Sequence, residues 1–385
     1  MLGFVDNSFP VQYGVPQWMI IALRTLGFAL HAAFMGLWYA GIPLAVLMAR
    51  SQNLSLRQIS RRLMLQMPVI VALGVNLGIV PLLFLQAGFG PVVYSATILV
   101  GWFWLAIIAL LIPAYYGVYL YGWDGIPVDK PIAPWRLAVG IIAGCLFVAI
   151  GFLFANGFSF TFRLERWETL WERAQVAGAA TGLTVNIDDP VFWPRWLFIF
   201  SLALQTTACW MVLDASIFRP SATVEDRRLA ARLASRIYLP GFVGALVFGL
   251  GYLYHLGQSS GAQISAVVGQ LPGVVPGLVA VLIPIAIGSV LLNASGRQAP
   301  LSPKTVVMCV GLHIVYLVCV GFLRIWADLF TLQLSNRYEF WGRPVAFQWS
   351  PFLLFVVTLI MGIAVVSWMI VQVLRNLMTT TREAN

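Results

Sequence analysis

Residues 18–47 read WMIIALRTLGFALHAAFMGLWYAGIPLAVL, an unbroken apolar run whose strongly polar side chains are Arg24, Thr25 and His31. A helix needs about 20 apolar residues to cross a hydrocarbon core, so this run crosses with length to spare and has to tilt or protrude. No carboxylate lies in it. The pattern recurs at 63–85, 96–121, 137–158, 192–218, 237–255, 274–292, 306–326 and 351–373. The expected fold is an all-α polytopic transmembrane helix bundle of about nine spans, because lipid tolerates only backbones that satisfy their own hydrogen bonds.

Composition agrees. Of 385 residues, 60% are hydrophobic and 10% charged, which is too little charge for a soluble protein and too much apolar length for one buried core. With no linker or fixed-period repeat, residues 1–385 read as a single integral-membrane domain. The opening MLGFVDNSFP has no basic n-region, so the first apolar run is expected to be a retained span and not a cleaved signal. Cys145, Cys209, Cys309 and Cys319 all fall inside spans and no Cys-x-x-Cys-His occurs; they read as reduced packing residues.

Basic residues alternate between connections. One set carries Arg50, Arg57, Arg61, Arg62, Lys130, Arg136, Arg219, Arg227, Arg228, Arg232, Arg236, Arg297, Lys304, Arg375 and Arg382. The positive-inside rule makes that set cytoplasmic, with the N-terminus outside and the C-terminus cytoplasmic. The net charge of +9 is then met by anionic lipid, and nucleic acid is not needed. Two larger outer segments, 159–190 and 327–348, mix acids and bases and offer a landing surface for a partner. Within the first, RLERWETLWERAQ has helical charge spacing with Trp167 and Leu170 on an apolar side, which predicts a short interfacial helix. NLSLRQISRR and ATVEDRRLAARLASR on the inner side are similarly amphipathic and are expected to contact lipid.

The acids fall in loops or at span ends, with Asp214 nearest an interior, so a proton route or an ion-coupled carrier is not indicated. In the second run Gly74 and Gly78 bracket Asn76; the glycines predict close helix approach and the amide an interhelical hydrogen bond.

That leaves the histidines. His31 and His313 sit near mid-span with no carboxylate partner, a setting suited to haem ligation. Arg24 precedes His31 by seven residues and Arg324 follows His313 by eleven, spacings that keep each pair on one helix face to within about 20°. An iron at histidine and a propionate at arginine would fit, and similar depth would let the two histidines share one haem. Met64, Met211 and Met308 are alternative sixth ligands. His255, near a span end, could be an interfacial residue, a hydrogen-bonding group for quinol, or the ligand of a second haem. The alternative for either mid-span histidine is donation to a carbonyl on a neighbouring helix.

Several stretches resemble a family of nine-helix, cytochrome-bd-like membrane subunits of bacterial electron-transfer complexes. They are FALHAAFMG around His31, PVIVALGVNLGIVPLLFLQ from Pro68, the tyrosine-rich end of the third run, WPRW from Trp193 and QWSPFLLFVV from Gln348. Gly296-Arg297-Gln298 is similar to a GRQ triplet of bd-type quinol oxidases. The resemblance implies b-type haem, contact with the quinone pool, and an extracytoplasmic c-type cytochrome or other redox subunit as partner, in the bacterial inner membrane. Two positions depart from it. A haem-ligating histidine expected after Trp193-Pro194-Arg195 is replaced by Trp196, and the acids that serve oxygen reduction are missing from the third run.

The expected function is a membrane subunit, at most of a quinol-linked oxidoreductase, that binds haem b through His31, His313, Arg24 and Arg324 and passes electrons between quinol and that partner. The alternatives are a haem-free membrane anchor for a periplasmic redox assembly and a neutral-solute or lipid transporter.

Overall fold

The computed structural model describes residues 12–126, 129–259, 271–335 and 338–383. The side chains of Arg375 and Arg382, used in the topology argument, lie outside the described residues. Among the described residues, eight helical segments are long and apolar enough to cross a membrane, and the chain is a multi-pass membrane protein.

The first crossing joins α1 (Gln17–Gly36) to α2 (Ile42–Met48) through a π-helical turn, Leu37–Gly41. Pro43 follows that turn and has no N–H to bond back, so the helix widens there and continues. Next come α3 (Leu54–Leu99), α4 (Gly101–Gly122) and α5 (Pro134–Phe160). A short helix α6 (Trp167–Ala174) and a hairpin of β1 (Gln175–Val176) and β2 (Ala179–Ala180) precede α7 (Phe192–Leu213), which ends in a second π turn, Asp214–Phe218. The bundle closes with α8 (Val224–Ser259), α9 (Leu271–Gly296) and α10 (Pro303–Leu334). A last helix, α11 (Trp349–Glu383), opens with the shorter apolar run Trp349–Gly362.

Three boundaries differ from the sequence reading. NLSLRQISRR is no separate surface helix but the first turns of α3, capped where the Asn53 side chain accepts from the N–H groups of Ser55 and Leu56. Most of ATVEDRRLAARLASR likewise begins α8. The expected break between the second and third spans is a kink at Phe89 followed by a turn at Val100, so α3 runs on to Leu99. The freed Gly88 carbonyl there accepts from both Tyr13 and Tyr338 hydroxyls, at 3.0 and 2.9 Å.

Glycines set how closely the helices meet. On one side of α1, a Cβ at Gly74 of α3 would run into the Trp38 ring, and one at Gly78 would stand 2.8 Å from His31 Nδ1. On another side, Gly321 of α10 lies against the Thr25 carbonyl and Phe28, and a Cβ on Gly36 would meet Thr206 of α7 at 2.9 Å. The close approach expected of Gly74 and Gly78 is therefore present. Asn76 does not make the expected interhelical bond: it is exposed on the bundle perimeter and donates to Ala72 O, one turn back on its own helix, at 2.8 Å. An amide at a perimeter position reaches no neighbour, and its own backbone is the acceptor left to it.

The two ends of the bundle carry the polar structure. At the hairpin end, Asn156 and Asn186 knit α5 to the approach of α7: Asn156 donates to Thr184 O at 2.8 Å, and its Oδ1 accepts from the Asn186 N–H at 2.9 Å. Asp189 accepts from Asn186 and from Arg163 and caps the Val191 N–H. The predicted helix of RLERWETLWERAQ forms, but Trp167 and Leu170 are buried against the protein and not laid on headgroups. Ala177 and Gly178, with φ 51° and 77°, make the tight left-handed turn of the hairpin. At the opposite end, Asp214 accepts a bidentate pair from Arg62 at 2.5 and 2.6 Å, and a third bond from Gln66.

Candidate functional site

His31 faces α3 across its seam with α1. Its Nδ1 lies 2.7 Å from the Gly74 carbonyl; a carbonyl only accepts, so Nδ1 carries the proton and, in the neutral ring, Nε2 keeps the lone pair. Donation of one ring nitrogen to a backbone carbonyl is how ligating histidines are commonly oriented, because it fixes the tautomer and makes the other nitrogen more basic. It is equally the bond expected of a histidine that only packs. The edge of the Trp38 indole closes one side, with ring centroids 6.0 Å apart.

His313 is committed differently. It is 2% exposed on α10, and its Nε2 lies 2.9 Å from Thr206 Oγ1. Thr206 spends its one hydroxyl proton on the Leu202 carbonyl, also at 2.9 Å, so it accepts from His313 and Nε2 carries the proton. Nδ1 is left buried with no partner among the described residues. That nitrogen is crowded by its own backbone and is the poorer axial ligand.

The structure does not bring His31 and His313 together. The first lies between α1 and α3, the second between α10 and α7. Contact of Gly321 with Thr25 and Phe28 sets the α1–α10 register. His255 on α8 is half-buried, with its ring 5.3 Å from that of Tyr254. Met64 and Met211 are buried core residues, whereas Met308 is exposed on the perimeter.

The arginines do come together, though not one beside each histidine. Arg24 donates to Asp328 at 2.7 Å, and its guanidinium stands 5.3 and 5.0 Å from the Phe89 and Phe162 ring centres. Asp328 was expected in an outer loop; α10 runs two turns past Trp326, and the carboxylate turns inward, 3% exposed. Arg195 of α7 reaches the same carboxylate at 3.7 Å and donates to the Phe158 carbonyl at 2.7 Å. Arg324, one turn before Asp328, stacks on Phe28 at 4.8 Å and forms no ion pair among the described residues. It also lies 5.8 Å from the ring of Phe158, whose carbonyl accepts from Arg195. Ring stacking recovers about 0.5–2 kcal/mol per cation, against several kcal/mol for an uncompensated buried charge.

Arg195 and Asp328 were missed as site residues by the sequence reading. Their signal was present: an arginine and an aspartate just inside two span ends are costly in lipid unless paired. What one sequence lacks is the pairing across helices.

Compared with known proteins, the chain matches no family model and no curated sequence.

Proposed function

We propose that the chain is the integral-membrane subunit of a respiratory-type electron-transfer complex, holding haem b at His31 and passing electrons between quinol and an extracytoplasmic cytochrome. The observation that carries this is the His31 ring itself, oriented by Gly74 through Nδ1 with Nε2 left as the lone-pair nitrogen, with Arg324 stacked on Phe28 about one turn away along α1 and in no ion pair among the described residues. The bound haem would supply one-electron redox chemistry. The protein's part is to orient the imidazole, exclude water with an apolar wall, and place positive charge where propionates would sit. His31 is then the axial ligand and His313 a packing residue anchored on Thr206. The bacterial cytoplasmic membrane is the location, with α11 as ninth span and the arginine-rich connections inside. The hairpin end then faces the periplasm, and the outer segment 159–190, held in place from beneath by the buried Asn156, Asn186 and Asp189, is the docking face for the partner.

A second reading is a haem-free anchor for the same partner, favoured by the Gly74–His31 and Thr206–His313 bonds, each of which already engages one ring nitrogen. A reduced-minus-oxidised spectrum of the full chain, purified from its native membrane, separates the two. The haem reading expects a b-type alpha band, lost in His31→Ala and kept in His313→Ala. Absence of any Soret band leaves the anchor; a band unchanged in His31→Ala removes the ligand assignment.

A further inference from the structure

We propose that Arg24, Arg195 and Arg324 form an oxyanion site at the hairpin end of the bundle, taking a carboxylate or phosphate group between α1, α7 and α10. Arg24 and Arg195 both reach one carboxylate, Asp328, and Arg324 lies one turn before it on α10, 5.8 Å from the ring of Phe158, whose carbonyl accepts from Arg195. Three positive charges less one negative leave an excess of +2. Arg163, the next cation outward, already has Asp189 and Glu165 and adds no unpaired charge.

Charge of this kind is costly among apolar helices unless something neutralises it, and the donors for that are in place. Among the described residues, Arg24, 7% exposed, has no hydrogen-bond partner for its Nη1. Arg195 Nη2 also lacks one there, its distance to Asp328 being too long for a bond. Arg324 lies over the Phe28 and Phe158 rings and has no acceptor among the described residues. Planar guanidinium forks with free N–H groups suit an oxyanion, which accepts several charge-assisted bonds at once. The propionates of a haem at His31 would be one source and the phosphate of an anionic lipid another. The site stands on the charge count and does not require that haem be bound.

Delipidated full chain in detergent, titrated with dioleoylphosphatidylglycerol and with dioleoylphosphatidylcholine as control, tests this by tryptophan fluorescence, with haem content and midpoint potential read on the same samples. If the ligand is a lipid phosphate, Arg324→Gln weakens phosphatidylglycerol binding by about tenfold or more. Arg324→Lys restores most of it, Asp328→Asn tightens it, and phosphatidylcholine is indifferent. If the ligand is a propionate pair, lipid affinity stays level while Arg324→Gln and Arg195→Gln lose haem or lower its potential. The proposal is overturned if neither lipid affinity nor haem responds to Arg324→Gln and Asp328→Asn does not tighten either ligand. Should Arg324→Gln fail to fold, Arg195→Gln and Asp328→Asn decide: a folded Arg195→Gln that binds both ligands unchanged, with an Asp328→Asn that tightens neither, overturns it.

Discussion

At the scale of single residues, the polar groups inside the bundle are governed by how many protons each can give. Thr206 has one hydroxyl proton and spends it on Leu202, and that fixes which nitrogen of His313 carries hydrogen. Gly74 can only accept, and that fixes His31. Thr206→Val should therefore strand the His313 Nε2–H and cost about 1–3 kcal/mol in thermal or denaturant unfolding, with any haem spectrum unmoved. Asp328→Ala should cost more, about 3–5 kcal/mol, because it leaves Arg24 buried and unpaired. Added phosphatidylglycerol should recover part of that loss if the arginine cluster takes lipid phosphate. The histidines and Arg24 could be found in the sequence because they interrupt apolar runs. The pairing of Arg24 with Asp328, 304 positions later, could not.

At the scale of the elements, the apolar runs became helices as expected, and their differences lie at joints. α3 absorbs an amphipathic start, a span and a kinked continuation because an Asn53 cap begins it and two tyrosine hydroxyls satisfy the carbonyl freed at Gly88. Tyr338→Phe should loosen that joint by about 1 kcal/mol, read as faster amide exchange on either side of Phe89. The α1–α3 seam is tighter still. At Gly74 an added methyl would enter the Trp38 ring, which is 7% exposed and has little room to turn. Gly74→Ala should thus destabilise by about 1–3 kcal/mol and displace His31, visible in any haem spectrum. Small-x-x-x-small spacing marked this seam in advance. It did not reveal that Trp38 and His31 are what the glycines admit, since spacing shows where room exists and not who fills it.

At the scale of the whole molecule, the hairpin end is a built platform and its ion pairs set a pH dependence. Asp188 accepts from Arg173 at 2.6 Å, and that bond, with Arg166 nearby, holds its carboxyl below the usual range. The stabilisation is complete above the unfolded carboxylate value of about 3.9 and is lost as pH falls through the lower folded value. Limited proteolysis of the 164–188 region should stay slow at neutral pH and quicken in acid, with Asp188→Asn quick at both. Sequence alone determined that this chain lives in lipid as a helix bundle, because burial of backbone and apolar side chains in hydrocarbon depends on composition and run length, which are local. Tertiary structure alone decided which polar groups meet: it set His31 and His313 apart on two seams and drew Arg24, Arg195, Arg324 and Asp328 into one cluster. Those outcomes depend on helix rotation and register, which the packing of glycines against rings sets between helices and no single run encodes.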